Sequence, residues 1–414
     1  MRVETMRAVD RWLGRPAAWA LTRLRSIAGD ADAPAPGAVR KVLFVKLSEM
    51  GALVLATPAF SEARRLFPQA QAWIVCFAEN AEIAEVAGGF PRDRIVAVDA
   101  RGLVGTITGL LGAIRRLRRE RFDVCIDLEY FSRVSAILSY LTGAKVRAGF
   151  HRFEAEGLYC GDLYTHRASW NAYLHVAQLY VMLTRAAAHD SGQVPLLKQT
   201  VPPTAELAFP AFVPSPDDVR AVQTKLRSAG VPEGAAILLV NPNSSDLLPL
   251  RRWPQESFAG LVRTLAERRP DAWVILTGAA HEAALAERIL AAVRAGTGEA
   301  RCASLVGRTD LRELLTLFTL SKVLVSADSG PPHFAALTPI RGVTLFGPET
   351  PGLYGPVGPR NEAITAGLAC SPCIHAWNRR VSPCTDNQCM KQIDAGRVAD
   401  AALRAASGGE EGRC

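Results

Sequence analysis

The sequence predicts an α/β protein built from two doubly wound, parallel-sheet domains. Short apolar runs rich in β-branched residues alternate with helical segments along the chain, which is the pattern of strands buried in a parallel sheet. The chain has 414 residues, which is long for one such domain and comfortable for two. A stretch at 200–216 carries five of the 26 prolines and is typical of an interdomain linker.

These observations predict three regions. Residues 1–37 form a basic amphipathic helix with its linker. Residues 38–200 form the first domain, and residues 201–414 form the second domain, which contains a cysteine cluster at 370–389.

Composition narrows the function class. Hydrophobic residues make up 49% of the chain and charged residues 21%, as in a soluble globular protein. The net charge of +8 suits phosphorylated substrates or anionic lipid. No zinc-finger, RNA-binding or helix-turn-helix pattern accompanies this charge, so we do not expect a nucleic-acid partner. No apolar run is long enough to span a membrane and no secretory signal is present, which predicts a cytoplasmic protein.

The N-terminal helix, predicted over 1–29, interleaves arginines with large apolar residues. Arginine and tryptophan on one helix suit an anionic membrane surface, so we expect peripheral contact with the inner face of the cytoplasmic membrane. The alternatives are a helix packed on the protein body or a partly disordered tail. The arginines are 2, 7, 11, 15, 23 and 25, and the apolar residues include Trp12, Leu13, Trp19, Leu21, Leu24 and Ile27.

The first domain opens with a buried strand at 41–47. A small polar turn follows, with Ser48, Glu49 and Gly51, and a helix comes after it. Further strands are predicted at 72–78, 95–98 and 122–129. The turn therefore lies at the carboxyl end of a strand, which is where open α/β sheets bind ligands.

The second domain repeats this pattern. A strand at 235–242 leads into a loop with Asn243 and Ser244, then to Arg251 and Arg252. A guanidinium suits bidentate phosphate binding, although both arginines could instead be surface charges. The next strand, 273–276, ends at Thr277, on the same predicted edge.

The stretch 322–358 is the most informative, and it reads as strand, turn, helix, strand and loop. Asp328, Ser329 and Gly330 lie where a strand meets the N-terminus of a helix, and His333 lies in that helix. Backbone N–H groups at such a place favour an anion, and Gly330 lets a phosphate approach the backbone. The alternative is an ordinary loop capped by Asp and Ser.

The run DSGPPHFAAL followed by VTLFGPETPGLYGPVG resembles the signature of glycosyltransferase family 9, the ADP-heptose:lipopolysaccharide heptosyltransferases. The resemblance covers about 40–400. It implies a GT-B architecture, with two Rossmann-like domains facing across a cleft, the first for the acceptor and the second for the nucleotide sugar. It assigns the diphosphate of an ADP-sugar donor to Asp328, Ser329, Gly330 and His333. The donor side would also include Asn243, Ser244, Arg251, Arg252 and Thr277.

The resemblance further implies inverting transfer of a sugar, expected to be heptose, to a lipid-linked or saccharide acceptor, with no metal required for catalysis. At the position of the family's general-base aspartate this sequence has Ala52, which cannot take a proton. Glu49 lies in the same turn and is the candidate base, with Ser48 and Gly51 on the acceptor side. The alternatives are a sugar-nucleotide isomerase or a non-catalytic nucleotide-sugar-binding protein. A nicotinamide-dependent dehydrogenase is disfavoured because no G-x-G-x-x-G follows the first strand.

Four cysteines near the C-terminus have the spacing C-x2-C-x10-C-x4-C. Such spacing can hold zinc tetrahedrally, and the alternatives are reduced thiols in packing, a disulfide or an iron–sulfur site. Similar cysteines occur in some members of the family, which shows a recurring motif and not a metal. The residues are Cys370, Cys373, Cys384 and Cys389.

Overall fold

A computed structural model describes residues 10–152, 159–242, 248–297, 300–358, 360–378 and 380–408. The chain forms two compact units. The first holds the described residues up to Ala208 together with His375–Val381. The second holds Phe209–Ile374 together with the described residues from Ser382 onward.

The first unit is built on a six-stranded sheet in which every neighbouring pair is parallel. The strands are β1 (Lys41–Val45), β2 (Gln71–Phe77), β3 (Ile95–Val98), β4 (Val124–Asp127), β5 (Val146–His151) and β6 (His166–Ser169). The order across the sheet is β3-β2-β1-β4-β5-β6. This is the Rossmann order. Its crevice opens between β1 and β4, where the order of the strands across the sheet reverses.

Helices cover the first sheet because each crossover between parallel strands must return along a face of the sheet. They are α1 (Arg15–Ala28), α2 (Met50–Leu55), α3 (Thr57–Leu66), α4 (Ala81–Val86), α5 (Leu103–Glu120), α6 (Arg133–Leu141) and α7 (Val176–Ala186). A short π-helical turn, Asp10–Gly14, precedes α1. Apart from Lys41 at the start of β1 and Asp127 at the end of β4, the central strands β1 and β4 are apolar, as expected when both faces of a sheet are buried.

The second unit repeats the topology of the first. Its strands are β7 (Ala236–Asn241), β8 (Ala272–Leu276), β9 (Cys302–Ser304), β10 (Val323–Ala327), β11 (Arg341–Phe346) and β12 (Asn361–Thr365). They form a parallel sheet in the order β12-β11-β10-β7-β8-β9. Counted from β7, this is again the Rossmann order, with its switch point between β7 and β10.

The helices of the second unit follow the same crossover rule. They are α8 (Pro216–Ser228), α9 (Gln255–Arg268), α10 (Ala283–Thr297), α11 (Leu311–Thr319), α12 (Gly330–Phe334), α13 (Pro351–Tyr354), α14 (Gln388–Lys391) and α15 (Ala395–Ser407). The two Rossmann-like units confirm the predicted α/β fold class.

The N-terminal helix docks on the first unit through one face. Asp10 pairs with Arg133 of α6, Ala18 is buried, and Thr22 Oγ1 accepts a hydrogen bond from the Asp162 backbone N–H at 2.9 Å. The opposite face exposes Trp12 and other large apolar side chains. Residues 1–9 of the predicted helix lie outside the described residues. In the part of the chain that is described, no helix is both long and apolar enough to cross a membrane.

Candidate active site

The turn after β10 brings together the predicted residues of the second unit. Asp328 donates its backbone N–H to Leu345 O at 3.0 Å, which ties the turn to β11. Ser329 Oγ donates to Ala327 O at 3.0 Å. Asp328 and His333 are buried, with 3% and 8% of their surface exposed. The turn is thus bonded to the neighbouring strands at the switch point of the sheet.

The helix that starts at Gly330 is short, and this limits what it can offer an anion. It spans five residues, and Pro331 and Pro332 have no N–H. The backbone donors of this turn are therefore those of Ser329, Gly330 and His333. A helix of one and a half turns has a small macrodipole, so an anion here is recognised mainly by individual N–H groups.

Arg251 lies against this turn. It ends a short 3-10 turn, Pro249–Arg251, in the connection that follows β7. Its Nε lies 3.1 Å from Asp328 Oδ2, and its Nη1 donates to Asp328 O at 3.3 Å. Its Nη2 forms an ion pair with Glu349, whose side chain is fully buried in the connection after β11. One guanidinium is thus shared by two buried carboxylates.

The segment that carries Arg251 is anchored from the other side. Trp253 is buried and donates Nε1–H to Ile393 O at 3.1 Å. Asn387 Nδ2 donates to Leu250 O at 3.0 Å and to Arg252 O at 2.8 Å. Arg252 itself is exposed. The two arginines therefore differ in exposure: Arg251 lies against buried carboxylates, and Arg252 is exposed.

The remaining predicted donor-side residues divide into two groups. Thr277 follows β8, is fully buried, and its Oγ1 accepts a hydrogen bond from Asn241 Nδ2 at 3.4 Å. This contact joins the ends of β7 and β8. Asn243 and Ser244 lie outside the described residues.

The first unit carries the second predicted turn at its own switch point. Ser48 and Glu49 follow β1, and Gly51 is buried in α2. Glu49 has φ 70° and ψ 98°, in a region that residues other than glycine rarely adopt. Its carboxylate pairs with Arg380, which belongs to the first unit although it lies 331 residues further along the chain.

Residues 111–381 match the family described as glycosyltransferase family 9 (heptosyltransferase). The chain belongs to glycosyltransferase family 9.

Similar proteins cover most of the chain. The lipooligosaccharide heptosyltransferase 2 of Haemophilus ducreyi is 26% identical over 330 residues, which are 77% of this chain and 86% of that protein. The solved structure of E. coli ADP-heptose lipopolysaccharide heptosyltransferase II superposes with a TM-score of 0.66 at 22% identity, over 90% of this chain and 99% of that one. An E. coli heptosyltransferase solved with ADP gives 0.61 at 20% identity, over 88% and 99%. The family assignment makes this protein a glycosyltransferase of GT-B fold.

A buried polar cluster surrounds the end of β4 in this family 9 protein. Asp127, the last residue of β4, is fully buried and accepts a hydrogen bond from Tyr164 Oη at 2.7 Å and one from Ser139 Oγ at 3.4 Å. Burial raises the pKa of Asp127 to about 7, although the bond from Tyr164 acts in the opposite direction. Nearby, Tyr130 stacks on Tyr180 and their hydroxyls lie 2.6 Å apart.

The four cysteines of the cluster differ in exposure. Cys370 and Cys384 are exposed, Cys373 is half-buried and Cys389 is buried. Ser382 Oγ donates to Cys373 Sγ at 3.2 Å. Within the described ranges, none of these cysteines forms a disulfide, and no group of three or more His, Cys, Asp or Glu residues is placed to hold a metal ion. The zinc site stays a prediction.

Proposed function

We propose that the protein catalyses inverting transfer of heptose from ADP-heptose to a hydroxyl of a lipopolysaccharide core or a related saccharide or lipid-linked acceptor. The relatives named above are heptosyltransferases, and one of them was solved with ADP. The observation that carries the proposal is the contact of Arg251 with Asp328 at the switch point of the second sheet. That position is where open α/β sheets bind nucleotides.

The second unit would stabilise the leaving diphosphate. The N–H groups of Ser329 and Gly330 can donate to phosphate oxygens, and His333 can donate from its ring. Arg251 and Arg252 would add charge-assisted hydrogen bonds, and Asn243, Ser244 and Thr277 complete the proposed donor side. Because these groups meet the charge that develops on the departing ADP, the proposal requires no divalent metal.

The first unit would activate the acceptor. Glu49 would accept the proton of the acceptor hydroxyl, and that oxygen would attack the anomeric carbon on the face opposite the diphosphate. The new carbon–oxygen bond forms as the bond to the diphosphate breaks, and ADP leaves with the electron pair. The attraction of Arg380 favours the charged carboxylate, which is the form that accepts a proton.

Binding and turnover test this proposal separately. The protein is screened with ADP-heptose, ADP-glucose, UDP-glucose and GDP-mannose for a rise in Tm, which a bound ligand produces by mass action. ADP release is then measured with a truncated lipopolysaccharide core as acceptor. We expect ADP-heptose to raise Tm most, acceptor-dependent ADP release, and loss of that release in Glu49→Gln. No stabilisation by any ADP-sugar would refute the donor assignment, and a new nucleotide sugar formed without acceptor would indicate an isomerase.

One observation favours a second candidate, a non-catalytic nucleotide-sugar-binding protein. Ala52 stands where the family has its general-base aspartate, and a methyl group cannot accept a proton. This candidate predicts that ADP-heptose raises Tm without any turnover. It also predicts that Glu49→Gln changes nothing.

We further propose that α1 and the π-helical turn before it lie on the inner face of the cytoplasmic membrane. Trp12, Trp19 and Ile27 are 75%, 56% and 84% exposed, and Arg23 lies over the Trp19 ring at 5.6 Å from its centroid. Exposed tryptophan with arginine suits an anionic lipid surface. Sedimentation with phosphatidylglycerol vesicles, but not with phosphatidylcholine vesicles, is expected. The Trp12→Ala/Trp19→Ala variant should lose this preference, and undiminished sedimentation of that variant with phosphatidylglycerol vesicles would contradict the proposal.

A further inference from the structure

Glu129 occupies the switch point of the first sheet, and the mechanism above does not use it. It follows β4 by two residues, while Lys46 and Leu47 follow β1, and the two strands are paired with Val45 opposite Asp127. The end of β4 therefore lies beside the turn that carries Glu49. Two consecutive backbone N–H groups and an ammonium of that turn converge on this one side chain.

Glu129 Oε1 accepts three hydrogen bonds from the turn. The donors are Lys46 Nζ at 3.0 Å, Leu47 N at 2.7 Å and Ser48 N at 3.1 Å. Successive N–H groups aimed at one point form an anion-binding concavity, and here the protein's own carboxylate fills it. The side chain of Lys46 is 2% exposed and that of Glu129 is 12% exposed, so solvent screens the pair little.

Lys46 is charged in this environment. Burial alone would lower the pKa of the Lys46 ammonium. The Coulombic attraction of Glu129, Tyr180 and Glu49 and the hydrogen bond to Glu129 outweigh burial and raise that pKa above its usual range. A buried cation and a buried carboxylate that bond each other in this way depend on one another.

The backbone at Glu49 needs such support. A residue with a side chain at φ 70° persists only where its neighbours fix the chain on both sides. On the N-terminal side, Leu47 O accepts hydrogen bonds from Asn80 Nδ2 at 2.8 Å and from Phe77 N at 2.9 Å. Glu129 holds the N–H groups of the same segment. Leu47 is thus held through both its N–H and its carbonyl, and Ser48 through its N–H, which fixes the direction of the Glu49 side chain.

We infer that Glu129, with Lys46 as its counter-ion, is a positioning residue that holds the turn so that the Glu49 carboxylate points at the acceptor hydroxyl. This inference rests on the proposed role of Glu49 as the base. It concerns kcat and not donor affinity, because the Glu129 carboxylate bonds the turn that carries Glu49 and lies in the first unit. It also concerns the charge around Glu49, which faces Lys46, Arg380 and Tyr180.

The test uses the full chain with ADP-heptose and truncated lipopolysaccharide core. Glu129→Ala is expected to lower kcat about 10- to 100-fold with KM for ADP-heptose within twofold, since a displacement of about 1 Å costs rates of this order. Glu129→Gln keeps an acceptor for Leu47 N and Ser48 N and is expected to recover part of kcat. Both variants remove a negative charge and leave Lys46 to act on Glu49, so the acidic limb of the kcat–pH profile should move to lower pH.

A matched control lies on the same strand. Lys41 at the start of β1 pairs with Glu120 at 2.6 Å, so Glu120→Ala also removes a lysine–glutamate pair but leaves the turn untouched. We expect it to leave kcat and the pH profile unchanged. If Glu129→Ala lowers kcat no more than Glu120→Ala, or raises KM for ADP-heptose instead, the inference is wrong.

The double variant Glu49→Gln/Glu129→Ala separates this inference from the proposed function. If Glu129 acts through Glu49, Glu129→Ala costs no further activity in the Glu49→Gln background. If Glu49→Gln is inactive while Glu129→Ala matches the parent, the base assignment stands and the positioning role falls. If Glu49→Gln is fully active, both fall. Tm measured on each variant shows whether it folds, and the Gln variant keeps the test valid should the Ala variant not fold.

Discussion

Removing Arg251 should destabilise the protein because two buried carboxylates then lose the cation they share. Asp328 and Glu349 have side chains only 4% and 0% exposed, and both face the guanidinium. Breaking a buried pair by removing one partner costs about 3–5 kcal/mol. At about 2–4 °C per kcal/mol for a domain of this size, Arg251→Met should lower Tm by roughly 6–20 °C. Loss of donor binding in such a variant therefore has two causes, which must be separated.

A double-mutant cycle with Glu349→Gln separates them. Glutamine at 349 is neutral, so Arg251→Met in that background removes the guanidinium from one buried carboxylate and not from two. We expect a coupling free energy of at least about 1 kcal/mol from thermal and denaturant unfolding. Arg268→Met, which removes an exposed pair with Asp400 in the same unit, serves as control and should change stability by less than about 1 kcal/mol.

Titration of ADP into the same variants measures donor affinity. If Arg251 also contacts the diphosphate, Arg251→Met/Glu349→Gln should fold well and still bind ADP at least about tenfold more weakly than Glu349→Gln, as loss of one charge-assisted hydrogen bond predicts. A coupling energy near zero would refute the shared-cation reasoning. Equal ADP affinities would remove Arg251 from the phosphate site.

Three further predictions concern other groups. Burial raises the pKa of Asp127 from the ordinary 3.8 to about 7, so between these pH values the folded state binds a proton that the unfolded state does not. The free energy of unfolding should therefore fall as pH rises from about 4 to 7. Asp127→Asn should lack this fall, measured as Tm at pH 5 and pH 8. His333→Ala should weaken ADP binding about tenfold with Tm within a few degrees of the parent, measured by calorimetry. Metal analysis of the protein purified under reducing conditions should find stoichiometric zinc, and chelator should lower Tm, if the four C-terminal cysteines hold a metal; neither result is expected of packing thiols.

The central strands were predictable because a strand that is buried on both faces has a nearly continuous run of apolar residues in the sequence. β1, β7, β10 and β11 are such runs. The edge strands β6 and β9 are short and carry polar residues, and neither stands out from a loop in sequence. An edge strand is held by its neighbour's backbone hydrogen bonds, and sequence pattern does not record those bonds.

The sequence predicted the part of the site whose residues are close together in the chain. It did not predict contacts between residues that are far apart in the chain. Asp328 to His333 form one contiguous turn, so their proximity follows from the motif. Glu349 lies inside the stretch that carries the family resemblance, yet its ion pair spans 98 residues. The contact of Glu49 with Arg380 spans 331 residues, and the contact of Glu129 with Lys46 spans 83. Only the fold brings these charges together.

Each unit has, at the switch point of its sheet, a cation that is bonded to one or two carboxylates. In the first, Lys46 is held by Glu129, and in the second, Arg251 is held by Asp328 and Glu349. A cation bonded to buried carboxylates adds little net positive charge, so neither Lys46 nor Arg251 can attract a phosphate by its charge alone. Each of these ion pairs instead fixes the orientation of its side chains. If either partner moved away, a buried charge would lose its counter-ion. Under the proposed function, the N–H groups of Ser329 and Gly330 and the guanidinium of Arg252 would attract the diphosphate, and Arg251 would set where the phosphate lies. The loss of ADP affinity caused by Arg252→Ala should consequently be larger at low salt than at high salt. The loss caused by removing Arg251 should depend little on salt, because the Arg251 side chain and its carboxylates are shielded from solvent.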